Sequence, residues 1–226
     1  MERHFDSELN TLKERLLTMA SHAETAVNQA LQALGNRDLD LALRVKADDD
    51  VIDRFEVEID ELAIQLLAKA PLASDLRFVT VAMKISQNLE RVGDEAAKIA
   101  KRARDLSKEP PLKVTVDLPK MAGLALEMLK AALDSFVNRD PVAARAIIPR
   151  DKEVDALNRE IGRQLMKHMA ENPESIARCV NLMTAARSLE RVADHAKNVA
   201  EEVVYLCEAR DIRHSGQGQT ATERGL

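Results

Sequence analysis

Aromatic side chains make up only 2% of this 226-residue chain, with no Trp, one Tyr and four Phe. The core must therefore be assembled from Leu, Ile, Val, Met and Ala. Strands favour aromatic and β-branched residues, so an Ala- and Leu-rich chain with only seven Gly excludes a sandwich or barrel and points to long helices. Its two cysteines, Cys179 and Cys207, are far apart in sequence. They exclude a disulfide framework and read as core filler in a reduced, cytosolic protein. The longest stretch free of Asp, Glu, Lys and Arg runs from Thr25 to Asn36. That is short of the roughly 20 apolar residues a membrane helix needs, so membrane association is expected only indirectly, through a partner. The opening Met1-Glu2-Arg3-His4-Phe5-Asp6 is charged, and no secretory leader is expected. Concentrated positive charge is lacking too: 33 Lys and Arg stand against 38 Asp and Glu, a net charge of −5 with both signs interspersed. Nucleic acid is therefore not an expected partner. No Gly-rich phosphate loop, nucleophile elbow or zinc spacing is found.

What the chain does have is helical periodicity cut by proline. Apolar residues at Leu9, Leu12, Leu16, Met19, Ala23, Ala26, Ala30 and Leu34 follow the three-and-four spacing of one buried seam, which is expected to end at Gly35. A second such seam runs from about Asp38 to Lys69, and a third from about Ser74 to Leu106. Proline removes a backbone donor and restrains its predecessor, so Pro71, Pro110, Pro111, Pro119, Pro141, Pro149 and Pro173 mark the breaks.

The pattern then starts again. "NRDLDLA" from Asn36 recurs as "NRDPVAA" from Asn138, and Pro71 recurs as Pro173, both at an offset of 102 residues. "NLERVGDEAAKIA" from Asn88 recurs as "SLERVADHAKNVA" from Ser188 at an offset of 100. Three matches in the same order with nearly constant spacing describe a tandem duplication. The fold class is thus all-α: two tandem, pseudo-symmetric three-helix bundles built from six long helices. The first bundle spans 1–106, a linker 107–117, the second bundle 118–212 and a polar tail 213–226.

Each half carries two acid pairs four residues apart: Asp49 with Asp53 and Glu90 with Asp94, then Asp151 with Asp155 and Glu190 with Asp194. Such spacing sets like charges side by side on one helix face, where they repel by a few tenths of a kcal/mol. Chance placement of 38 acids in 226 positions supplies about six such pairs, so a single pair carries no weight. Recurrence at equivalent positions of both copies does. Two readings stay open at this level. The pairs hold a hard cation such as Mg, Mn, Ca or Fe, which carboxylate oxygen suits better than it suits Zn, or they form a solvated face balanced by Arg91 and Arg191. The helical histidines His22, His168 and His195 read as surface or boundary residues. The Glu-x-x-His motif of di-iron bundles is missing, since Gly93 and Ala193 stand three residues after Glu90 and Glu190.

"LERVGDEA" and "LERVADHA", with "ASDLRFV" from Ala73 and "DIRHSG" from Asp211, resemble the PhoU family of phosphate-signalling proteins over almost the whole chain, from Phe5 to about Gly216. The resemblance implies a cytoplasmic, non-enzymatic regulator, often a homodimer. It would act with the ATPase subunit of the high-affinity phosphate ABC transporter and with a sensor histidine kinase, keeping the phosphate-starvation response off when phosphate is plentiful. It also implies metal ions (Mg, Mn, Fe, Ca or Zn) at Asp49, Asp53, Glu90, Asp94, Asp151, Asp155, Glu190 and Asp194. Ala193 departs from the family's commoner Gly. Two rival readings are a metal-dependent carboxylate enzyme and a metal-free helical scaffold.

Overall fold

The computed structural model describes residues 2–69 and 72–213, with side chains from Phe5 onward. Pro71, most of the tail 213–226 and the end of the "DIRHSG" segment lie outside the described residues. The described chain is helical: α1 Glu2–Asn36, α2 Leu39–Leu67, α3 Ala73–Ser107, α4 Leu118–Asn138, α5 Pro141–Ile147, α6 Asp151–Glu171 and α7 Ile176–Glu208. At 1.5 Å per residue, the 35 residues of α1 or α3 extend about 50 Å.

Local signals explain the helix ends, including the repeated Asn-Arg-Asp. Arg37 and Arg139 are both left-handed, with φ of 58° and 51°. The aspartate that follows each one caps the next helix: Asp38 accepts from the Leu41 amide at 2.9 Å, and Asp140 from the Val142 and Ala143 amides at 2.9 and 3.0 Å. The first helix therefore does not stop at Gly35, as expected, but runs through it to Asn36. Arg37 takes up the left-handed turn instead, and its guanidinium donates to the carbonyls of Leu106 and Glu109 where α3 meets the linker. A second departure lies in the other half. Its middle helix is interrupted at Ile148–Arg150, a short 3₁₀ segment containing Pro149, which divides α5 from α6.

The halves join through α3 and α7, which lie antiparallel. Lys84 Nζ is 3.1 Å from Glu202 Oε2, Asn198 donates to Asn88 Oδ1 at 3.2 Å, and Arg191 donates to Glu95 Oε1 at 3.2 Å. Each step forward along α3 is a step back along α7. Exchanging the copies maps the His195–Asn88 contact onto Glu95 beside Ser188, so a pseudo-two-fold axis passes at the level of Gly93 and Ala193. Glu95 and Glu202 are buried here but paired; Lys98, Ser188 and Arg191 hold the Glu95 carboxyl below its ordinary range despite the opposing effect of burial. Burial pushes the His195 imidazole down.

Apolar contact is continuous across this boundary, and one cluster of buried residues takes in both halves. Phe78 of α3 stacks on Phe136 of α4 with centroids 5.7 Å apart and planes 17° apart, and Arg139 lies over the outer Phe78 face. Phe136 is 1% exposed. Phe136→Ala is expected to remove about 3–5 kcal/mol of unfolding free energy. Urea titration should show both halves weakened in one transition; a loss confined to the second half would contradict a shared core.

Candidate functional site

The sequence left one step open, namely whether the acid pairs of neighbouring helices meet. They come onto one seam without converging, because α2 and α3 form an antiparallel hairpin in which Asp49 and Ile52 lie opposite Gly93. A Cβ at Gly93 would stand 2.8 Å from Ile52 Cδ1 and 3.2 Å from Asp49 Oδ1, so glycine sets the closeness of the two helices. Asp94 lies at the level of Asp49, and one turn further on Asp53 and Glu56 come beside Glu90. The second half repeats this register: Asp151 meets Lys197 and Asp194, and Asn158 meets Glu190. All eight acids singled out in the sequence therefore lie on two hairpin seams, Asp49, Asp53, Glu90 and Asp94 on one and Asp151, Asp155, Glu190 and Asp194 on the other.

The charges respond accordingly. Burial and the neighbours Asp53, Asp94 and Asp50 push the Asp49 carboxyl up to about 6, with Lys98 opposing. Burial also raises Glu90, against the pull of Arg91 and with the push of Asp94, Glu56 and Asp53. In the second seam Asp194 is raised by the protein displacing water around it and then by Asp151, with Lys197 opposing. Lys197 is itself held above its ordinary range, chiefly by its bond to Asp151 at 2.8 Å.

Three participants escape the sequence pattern. Glu56 extends the Asp49–Asp53 stripe by one turn, and burial with Asp60 and Asp53 raises its carboxyl. The signal for it was its own four-residue pair with Asp60, which does not recur, since Asn158 and Gly162 stand at the equivalent positions of the second copy. Asn158 and Lys197, the other two, stand where the first copy has Glu56 and Ala97.

The donor set of the first seam, all carboxylate and crowded enough to lift Asp49, suits a hard cation. As the side chains stand, no three His, Cys, Asp or Glu among the described residues converge tightly enough to hold a metal ion. A bound ion would have to draw the carboxylates inward. A groove of about 690 Å³ lies elsewhere, at the end of α1 against the linker and α4, lined by Leu31, Leu112 and Val116 among others; it contains none of the acids.

The PhoU domain matches twice, over residues 16–103 and 118–203, one match to each hairpin and its partner helix. This chain belongs to the PhoU family. A PhoU homolog described as a phosphate-specific transport system accessory protein, from Pseudomonas aeruginosa, is 38% identical over 218 residues, covering 96% of this chain and 90% of that protein. The Escherichia coli accessory protein PhoU is 36% identical over 213 residues, covering 94% and 88%. The crystal structure of PhoU from Pseudomonas aeruginosa superposes with a TM-score of 0.88 at 38% identity, covering 91% of this chain and all of that one. The phosphate transport system regulatory protein PhoU from Streptococcus pneumoniae gives 0.85 at 30% identity, covering 92% and 99%. The PhoU double repeat is thus the architecture that places the two seams. No described helix is long and apolar enough to cross a membrane.

Gly93→Ala sets about 1–3 kcal/mol of overpacking against about 1 kcal/mol of gained helix propensity. A net loss of stability is expected. Adding Ile52→Val, which removes the methyl in the way, should recover part of it in a double-mutant cycle; simple additivity would contradict the close approach.

Asp49 supplies a second prediction. Its folded value of about 6 exceeds the ordinary 3.8, so between these values the folded protein holds a proton that the unfolded chain has released. The metal-free fold therefore loses this contribution as pH rises through about 6. The gain in melting temperature between about pH 7.5 and about pH 5 should be smaller in Asp49→Asn than in the native chain, by the equivalent of about 1 kcal/mol or less at this half-exposed position. Equal gains would sink that assignment.

Proposed function

We propose that the protein is a non-enzymatic regulator that represses the phosphate-starvation response and modulates high-affinity phosphate uptake. It acts in the cytoplasm, as a homodimer, through the ATPase subunit of the phosphate transporter and a sensor histidine kinase. A hard cation on its acidic seams adjusts the surface these partners meet. The observation that carries the reading is the likeness, across both repeats, to accessory proteins of phosphate transport at 36–38% identity and to a phosphate transport system regulatory protein at 30%. The seams add a physical route for control. Carboxylates crowded on one hairpin form a surface whose charge changes when a cation arrives, and a ligand shifts partner binding only by its differential affinity for the two states.

Deleting the gene in its host at high phosphate tests this. Alkaline phosphatase should be derepressed, and the native chain supplied in trans should restore repression. Unchanged repression in the deletion strain would refute the regulatory role. Purified protein should also retain the transporter ATPase subunit and the cytoplasmic part of the kinase on a column, and failure to retain either would refute direct contact.

A further inference from the structure

A groove of about 560 Å³ runs along α7 from Val180 to Arg191, between Glu95 and Lys98 of α3 and Asn158 and Gly162 of α6. Its floor is a stripe on one face of α7, which Ile176 extends toward the hairpin tip. Ile176, Val180, Thr184, Arg187 and Arg191 follow at steps of four, four, three and four, all exposed or half-exposed, so one side of the helix stays uncovered for about 22 Å.

The stripe changes character along its length. At the tip it is apolar: Ile176 and Val180 are 48% and 49% exposed, and Gly162 lies against Met183, which brings Met166, 54% exposed, level with Val180 one turn on. Toward the middle of α7 it is basic. The side chains of Lys98 and Arg191 are 46% and 52% exposed, both paired with Glu95, which is buried. Arg187 is exposed and pairs with none of the described residues. The other carboxylate on the groove, Glu190, accepts from Asn158 at 2.7 Å. Three cations thus stand at the surface over two acids that the protein already holds. Arginine has five N–H donors and lysine three, so their pairing with Glu95 leaves donors for another carboxylate. The first half lacks this surface. Thr80 stands there for Val180, Gln87 for Arg187, and Glu56 and Asp60 for Asn158 and Gly162, so the counterpart strip is polar and acidic.

An uncovered helix face walled on both sides has the shape that receives another helix, ridge into groove. We propose that this groove takes an amphipathic helix of a partner protein, with apolar side chains against Met166, Ile176 and Val180 and carboxylates against Lys98, Arg187 and Arg191. It rests on the partner reading given above and states where on the chain, and by what chemistry, that contact is made. The cations select an acidic stripe, and the apolar tip sets which end of the incoming helix lies at the α6–α7 turn.

Titration of the labelled full chain with the transporter ATPase subunit and, separately, with the cytoplasmic part of the kinase tests this. Val180→Asp and Arg187→Glu should each weaken binding to at least one of the two proteins by about tenfold or more, while Thr80→Asp and Gln87→Glu, at the equivalent positions of the first half, should leave it unchanged. A synthetic helical peptide whose Leu stripe runs into Glu should displace that protein from the native chain, and the same peptide with Lys in place of Glu should not. Circular dichroism confirms that each variant is folded, and Arg187→Glu with the two peptides decides the matter if Val180→Asp is not. Unchanged binding in Arg187→Glu, equal losses in the first-half variants, or equal displacement by the two peptides would overturn the inference while leaving direct contact intact. A native chain that binds neither protein would overturn both.

Discussion

The register of α2 on α3, and its copy in α6 on α7, is the constraint on which the rest of the structure depends. Sliding one helix by a turn would carry Asp49 away from Gly93 and leave Ile52 facing a side chain instead of a gap. The apolar seam and the acidic seam are two sides of the same hairpin, so the register that buries Ile52 and Val92 also brings carboxylates together on the outer edge. Helix packing supplies the energy that offsets their mutual repulsion. Each ion-pair term at the rim is small by comparison, since exposed pairs such as Arg91 with Asp94 contribute at most about 1 kcal/mol.

Much of this was legible beforehand. The fold class followed from the scarcity of aromatic residues and the three-and-four spacing of Leu, Val and Ala. The duplication followed from "NRD" and "LERV" recurring at fixed offsets. That "NRD" encodes a left-handed arginine followed by a capping aspartate was not visible, because arginine carries no intrinsic preference for positive φ; the turn is held by what its guanidinium reaches in three dimensions. The break at Pro149 was marked by the proline, but whether the helix would kink or divide depended on its neighbours. The acid pairs were visible as pairs. Their meeting was not, since a four-residue spacing fixes the face of one helix and says nothing of its height against the next.

Pattern matching by recurrence also has a blind side, which Lys197 and Asn158 expose. Aligning the repeats emphasises what is kept, and what is kept here is four acids in each copy. The two seams differ at positions where the repeats do not agree, and those positions determine how each seam's charge is balanced. In a duplicated protein the mismatches between copies deserve the same reading as the matches.

The antiparallel packing of α3 on α7 has a consequence for the molecule's origin. Exchanging the two copies maps this interface onto itself, the form taken by the isologous contact of a two-fold dimer. A single-repeat chain could have paired with a second copy of itself through its own third helix, in the arrangement that the linker now holds within one polypeptide. Joining the subunits converted an encounter between molecules into a permanent contact. Within one chain the two halves need not share one sequence, and Ala97 stands in one copy where Lys197 stands in the other.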